Sequence, residues 1–155
     1  MLRRRSRLLA LLALATGLSF GCASPTYQNV PRADAVSETP PEGMYRIFAF
    51  RSGQFAGAAR SVEVRIADRV IGAMGSGGYI CWDRAPGRAV AQVIYHGPKI
   101  DGRPVEGVFE VDGKAGEIHY VEMHLTKRDK RPEFRQLSAE EGRAAVASLN
   151  PAKER

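Results

Sequence analysis

From residue 44 onward, apolar positions recur every second residue and not at helical spacing. Val62-Glu63-Val64-Arg65-Ile66 alternates strictly, which predicts a half-buried strand with Val62, Val64 and Ile66 turned inward. The stretch 45–51 is rich in aromatic and branched residues on both faces, as a central strand requires. Short strands are predicted over 70–74 and 79–82, and longer ones over 88–96, 105–111 and 117–125. Between them stand turn signals. These are a loop at 53–57, Asp68-Arg69, Gly75-Ser76-Gly77-Gly78, Pro86-Gly87, a loop over 98–104, and Asp112-Gly113 with Gly116. Turn signals about every ten residues, without a βαβ pattern or internal repeat, predict an all-β fold: an antiparallel β-sandwich or barrel. The period changes only near the end. Ser138 and Glu141 form an S-x-x-E capping box, and Ala139, Gly142, Ala145, Val146 and Leu149 fall on one helical face. The helix is expected to run to about Leu149 and to stop at Asn150-Pro151. A helix this short is marginal alone, so its small-residue face is expected to dock closely on the sheet.

The first 43 residues follow another pattern. Arg3, Arg4, Arg5 and Arg7 precede an apolar run over 8–18, and Ser19-Phe20-Gly21-Cys22 closes it. That is the layout of a secretory signal peptide. The run is too short for a membrane-spanning helix, which needs about 20 apolar residues. Gly21-Cys22 resembles a bacterial lipobox, in which the Cys is lipidated and becomes the first mature residue. Ser19 and Gly21 also satisfy ordinary signal-peptidase cleavage, which would leave a soluble secreted protein. Ala23 after the Cys resembles the outer-membrane sorting choice of two-membrane bacteria. Several acyl chains on Cys22 would hold the protein stably at a bilayer, since each buried methylene contributes about 0.8 kcal/mol.

Residues 23–43 have no hydrophobic period and contain Pro25, Pro31, Pro40 and Pro41. Such a composition cannot offset the entropy of ordering, and a disordered tether of about 25 Å mean reach is expected. The expected organisation is therefore 1–21 signal peptide, 22–43 lipidated Cys22 and tether, 44–150 sandwich with C-terminal helix, and 151–155 frayed tail.

Charge changes the picture little. Of 23 basic residues, four leave with the signal, so 19 remain against 17 acidic ones, a net of +2. No nucleic-acid partner is expected. The cluster Lys127-Arg128-Asp129-Lys130-Arg131 reads as a solvated loop, or as a contact for anionic head groups or an acidic partner. There are two Cys. With Cys22 lipidated, Cys81 has no partner; with Cys22 merely secreted, a Cys22–Cys81 disulfide becomes open.

No catalytic constellation is evident. Gly75-Ser76-Gly77-Gly78 leads into a strand, whereas phosphate-cradling loops lead into a helix, so it reads as a plain turn. His119 and His124 lie an odd number of positions apart and point to opposite faces. Glu122 and His124 share a face, but two ligands leave a metal site incomplete, and His96 is isolated. No metal or other cofactor is expected. Cys81, between Ile80 and Trp82, reads as a buried thiol and not as a nucleophile. Glu106 and Glu110 share a strand face about 13 Å apart, too far for joint acid–base work at one bond. Trp82, Tyr79, Tyr95, Phe109 and Tyr120 are mostly core candidates; any that projected together would mark a binding surface.

The chain also resembles a family of small bacterial lipoproteins catalogued as a domain of unknown function, and more distantly PEGA-type (transthyretin-like) β-sandwich domains. The residues that carry the likeness are Tyr45-Arg46-Ile47-Phe48-Ala49-Phe50-Arg51, Val62-Glu63-Val64-Arg65-Ile66-Ala67-Asp68, Ile71-Gly72, Gly77-Gly78-Tyr79, Ala85-Pro86-Gly87 and Leu137-Ser138-Ala139-Glu140-Glu141. The resemblance implies a β-sandwich and an envelope location, and no activity. The expectation is a non-enzymatic, membrane-tethered module that binds another envelope component. A small envelope enzyme using Cys81 or a His–Glu pair, and a carrier of an apolar ligand, are the alternatives.

Overall fold

The structure is a computed structural model that describes residues 28–29, 39–53, 60–100, 103–126 and 131–152; of 28–29 and 98–100 it describes the backbone alone. The expected signal peptide, Cys22, most of the expected tether, and residues 127–130 and 153–155 lie outside the described residues.

The strands are β1 (Gln28–Asn29), β2 (Tyr45–Phe50), β3 (Ser61–Ile66), β4 (Arg69–Met74), β5 (Gly78–Arg84), β6 (Gly87–Ile100), β7 (Arg103–Gly113), β8 (Ile118–Leu125), β9 (Pro132–Leu137) and β10 (Asn150–Pro151), with one helix, α1 (Ala139–Ala147). They form two sheets, β1-β5-β2-β8-β9 with β10 also on β5, and β4-β3-β6-β7. The fold is an all-β sandwich with one C-terminal helix, as the alternation predicts. No helix of the described residues is long and apolar enough to cross a membrane.

Strand periodicity sorts the side chains into two cores. Tyr45, Ile47 and Ala49 of β2 point between the sheets, where they meet Val62, Val64, Trp82, Val93 and Phe109. Phe48 and Phe50 point the other way and meet Tyr79, Cys81, Tyr120, Val146 and Leu149 under the helix. Both faces of β2 are covered, so all six of its residues are buried. The five aromatics singled out above are all core, and none projects outward.

The helix docks as its small-residue face requires. Ser138 Oγ accepts from Glu141 N, and the Glu141 side chain accepts in return from Ser138 N. Gly142 and Val146 are the buried helical positions. At Gly142 a Cβ would lie 2.1 Å from Tyr120 Cγ, so only glycine permits this approach.

Five expectations are corrected. The sandwich is not wholly antiparallel, because β2 and β8 pair in parallel, as do β5 and β10. Between β2 and β8 the chain passes through all four strands of the second sheet and returns once to the first, as β5, which the strand list alone does not reveal. The 98–104 loop is instead the tip of a longer hairpin, with Ile100 paired to Arg103. Its prolines read as breakers, yet Pro104 lies on β7, the last strand of its sheet, where a missing N–H is tolerated, and Pro98 falls where the β6–β7 register shifts between Tyr95 and Ile100. The turn after β3 centres on Ala67 and not on Arg69; Ala67 takes φ 51°, a left-handed conformation that costs a non-glycine residue about 1–2 kcal/mol. The tail does not fray at 151: Asn150 N donates to Gly77 O at 3.0 Å and Ala152 N to Tyr79 O at 2.7 Å. Finally, the tether is not structureless throughout, since Gln28 and Asn29 pair with Asp83 and Trp82.

One whole strand, β9, is absent from the sequence reading. Its Phe134 packs 5.4 Å from Phe109, and a Cβ at Gly107 would meet the Phe134 ring at 2.7 Å.

Candidate functional site

The residues singled out for chemistry do not converge. Cys81 is a free thiol under α1, beside Tyr79 and Phe48. Burial pushes it far above the ordinary thiol range, with Arg46 opposing and Asp83 adding to the effect. A thiol so held is a poor nucleophile. An alkylating reagent is expected to leave Cys81 unmodified in the native protein and to label it on unfolding, as read by peptide mass spectrometry. Native labelling as fast as that of the unfolded chain would place the thiol at the surface. The same shift has a pH consequence. The folded state keeps the proton where the unfolded chain loses it, so this contribution is complete below about pH 9 and falls as pH rises beyond.

The turn at residues 75–78 is a plain β4–β5 connection with Gly77 at φ 73°. Glu110 and Glu106 point to the uncovered face of the four-stranded sheet, where they meet Arg88 at 2.6 Å and Gln92 at 3.3 Å. Val90 and Val108 stand exposed among them, Val108 by 55%. No described strand or helix covers that face.

The three histidines each sit beside a glutamate: His96 by Glu63 at 3.4 Å, His119 by Glu117 at 3.2 Å, and His124 by Glu133 at 2.8 Å. His119 is on the inter-sheet parity of β8, edge-on to Tyr45 at 5.7 Å. Glu122 and His124 share the opposite face, as alternation predicts. There Ser52 Oγ donates to Glu122 Oε1 at 2.6 Å, and Arg135 Nη2 donates to Oε2 at 2.8 Å. Burial disfavours the Glu122 anion, but the Ser52 hydroxyl and the Arg135 guanidinium outweigh it and hold the carboxyl below its usual range. Ser52 is thus bonded to a carboxylate and not to an imidazole, so this strip lacks the Ser–His link that activates a hydroxyl. Among the described residues no group of three His, Cys, Asp or Glu could hold a metal ion.

Two buried arrangements lay beyond sequence reasoning. One is the ion pair of Arg46 and Asp83, cross-strand neighbours on β2 and β5. The other is at the end of the sandwich where β2 stops and β3 begins. There Arg51 and Arg60 are only 3% and 9% exposed. Arg51 Nη1 donates to the Arg60 carbonyl at 2.7 Å, and its guanidinium lies over the Tyr95 ring, 5.6 Å from the centroid. The only available signal was parity. Arg51 continues the inward register of Ile47 and Ala49, and Arg60 precedes that of Val62 and Val64. Near this end an open groove of about 320 Å³ runs between Ser61, Met74, the 75–78 turn and residues 150–152.

The basic cluster falls mostly on residues 127–130, outside the described ones. At its flanks, Thr126 N donates to Arg131 O at 3.0 Å. Comparison of the chain with protein-family models, with curated proteins and with solved structures finds no match.

Proposed function

We propose that this chain is a membrane-tethered envelope lipoprotein, facing the periplasm from the outer membrane, whose β-sandwich binds another envelope component without catalysing a reaction. The observation that carries the placement is the run from Arg3 to Cys22: basic residues, a short apolar stretch, then Gly21-Cys22. The likeness to small bacterial lipoproteins and PEGA-type domains belongs to this proposal. The binding role is supported by how the polar groups are used. Glu122, Glu110 and Glu133 are each engaged by a neighbouring side chain, and Cys81 is a buried thiol, so the enzyme alternative draws no support from them. The carrier alternative draws none from the inter-sheet core, which is filled by Trp82, Tyr45, Tyr95 and their neighbours.

The test is fractionation of cells expressing the full chain. Wild type is expected in the membrane fraction with an acylated N-terminal Cys22. Cys22→Ala is expected in the soluble fraction, folded as before. An intact chain beginning elsewhere than residue 22, or a wild type found soluble, would refute the anchoring. Cross-linking from the intact envelope then tests the binding role; recovery of no specific partner would refute that part.

A further inference from the structure

The inward ends of β2, β3 and β6 bring two cations together at one end of the sandwich. Arg51 follows Phe50, Arg60 precedes Ser61, and Tyr95 is the cross-strand neighbour of Val62. The backbone holds Arg51 on both sides, its N–H donating to Gly78 O at 2.9 Å and its carbonyl accepting from Gly77 N at 3.0 Å. Arg60 passes against Gly97, which has φ +139° and where a Cβ would lie 3.1 Å from Arg60 Cγ. Arg51 touches both other members, through the Arg60 carbonyl and the Tyr95 ring.

Two donors in this cluster are unmet. Arg60 Nη1 and Tyr95 Oη are both buried without a hydrogen-bond partner. Arg60 forms no ion pair among the described residues. Burial draws the Arg51 guanidinium below its ordinary value; Tyr95 opposes this, and the adjacent Arg60 charge adds to it. A buried guanidinium with an open donor beside a second guanidinium is costly. A neutral acceptor would satisfy the donor but not the charge, whereas an oxyanion would do both. The guanidinium fork and a phenolic hydroxyl are groups that recognise carboxylate and phosphate oxygens.

We propose that Arg60, Tyr95 and Arg51 form an oxyanion-binding site at this end of the sandwich, taking a phosphate or carboxylate group of a ligand. The site names a ligand chemistry for the binding role but does not depend on the lipid anchor, so Cys22→Ala should leave it intact. β1 pairs near the opposite end of β5, which places the site away from where the tether meets the domain.

The full chain in detergent is followed by thermal unfolding while phosphate, acetate or chloride is added at matched ionic strength, and the binding of detergent-free Cys22→Ala protein, which has no acyl anchor, to phosphatidylglycerol vesicles is measured separately, with and without Arg60→Gln. Phosphate or acetate is expected to raise the Tm saturably over chloride. Tyr95→Phe, which keeps the ring in the core, is expected to raise the saturation midpoint about tenfold. Arg60→Gln is expected to abolish the effect. A response to phosphate without vesicle binding identifies a soluble ligand; vesicle binding lost in Arg60→Gln identifies a head group. The proposal is overturned if neither anion differs from chloride, or if Tyr95→Phe, folded, keeps the wild-type midpoint.

Discussion

Gly142→Ala is expected to destabilise the folded domain by about 2 kcal/mol, lowering its Tm by about 10 °C. On an exposed helix the same change would stabilise, because alanine is about 1 kcal/mol the better helix former. Here the sign reverses because of what lies beneath. The new Cβ would fall 2.1 Å from Tyr120 Cγ, 2.4 Å from its Cβ and 2.5 Å from Cδ2. Those atoms are not the loose end of a side chain. Tyr120 sits on β8, paired to β2 on one side and β9 on the other, and its ring stacks on Phe48 with centroids 5.0 Å apart. The ring cannot retreat, so the helix has to lift. Lifting it uncovers Val146 and Leu149, the helix-side half of the second core. Gly75→Ala is the matched control, since nothing lies within 4 Å of a Cβ there. Denaturant and thermal unfolding of both variants check the expectation. A Gly142→Ala protein as stable as wild type would mean that α1 does not rest on Tyr120.

That helix was also among the most legible parts of the sequence. Ser138 and Glu141 announce its start, and the small residues at helical spacing announce a close approach. Strands β2 and β3 were legible for a similar reason. Their own residues carry the signal, as alternation in Val62-Glu63-Val64-Arg65-Ile66 and as a doubly apolar run in β2. Failure begins where the deciding partner is remote. Pro-Glu-Phe-Arg-Gln-Leu in β9 has one strong apolar residue, and its place as a strand rests on Phe134 finding Phe109 and the bare backbone of Gly107. The parallel pairing of β2 with β8 depends on which strand fills the gap left when β3 and β4 depart to the other sheet. No local pattern encodes that choice. The candidate site failed in the same way. Arg51 and Arg60 look like ordinary strand-end charges in the sequence. Only the meeting of β2, β3 and β6 at one end of the sandwich buries them both and lays Arg51 over the Tyr95 ring.

Asp83→Ala is expected to destabilise the folded domain by about 3–5 kcal/mol. Arg46 Nε donates to Asp83 Oδ1 at 2.7 Å and Nη2 to Oδ2 at 3.0 Å, a two-pronged bond between cross-strand neighbours. The side chains are 4% and 2% exposed. Water cannot take over from the carboxylate, so removing it leaves a desolvated guanidinium facing Cys81 and the helix-side core. Asp83→Asn keeps the shape but loses the charge, and a smaller loss is expected. The informative variant is the double one, Arg46→Met with Asp83→Leu. Taking both ions away removes their desolvation together with their attraction, so the double variant is expected to regain most of what Asp83→Ala loses. Urea unfolding of Arg46→Met, of Asp83→Leu and of the double variant closes the cycle. Additive losses would show that Arg46 and Asp83 do not act as a unit. Strong coupling would show that the pair holds β2 and β5 in register by the cost of separating its members. It would also explain why a strand otherwise built of apolar residues carries Arg46 at its covered face.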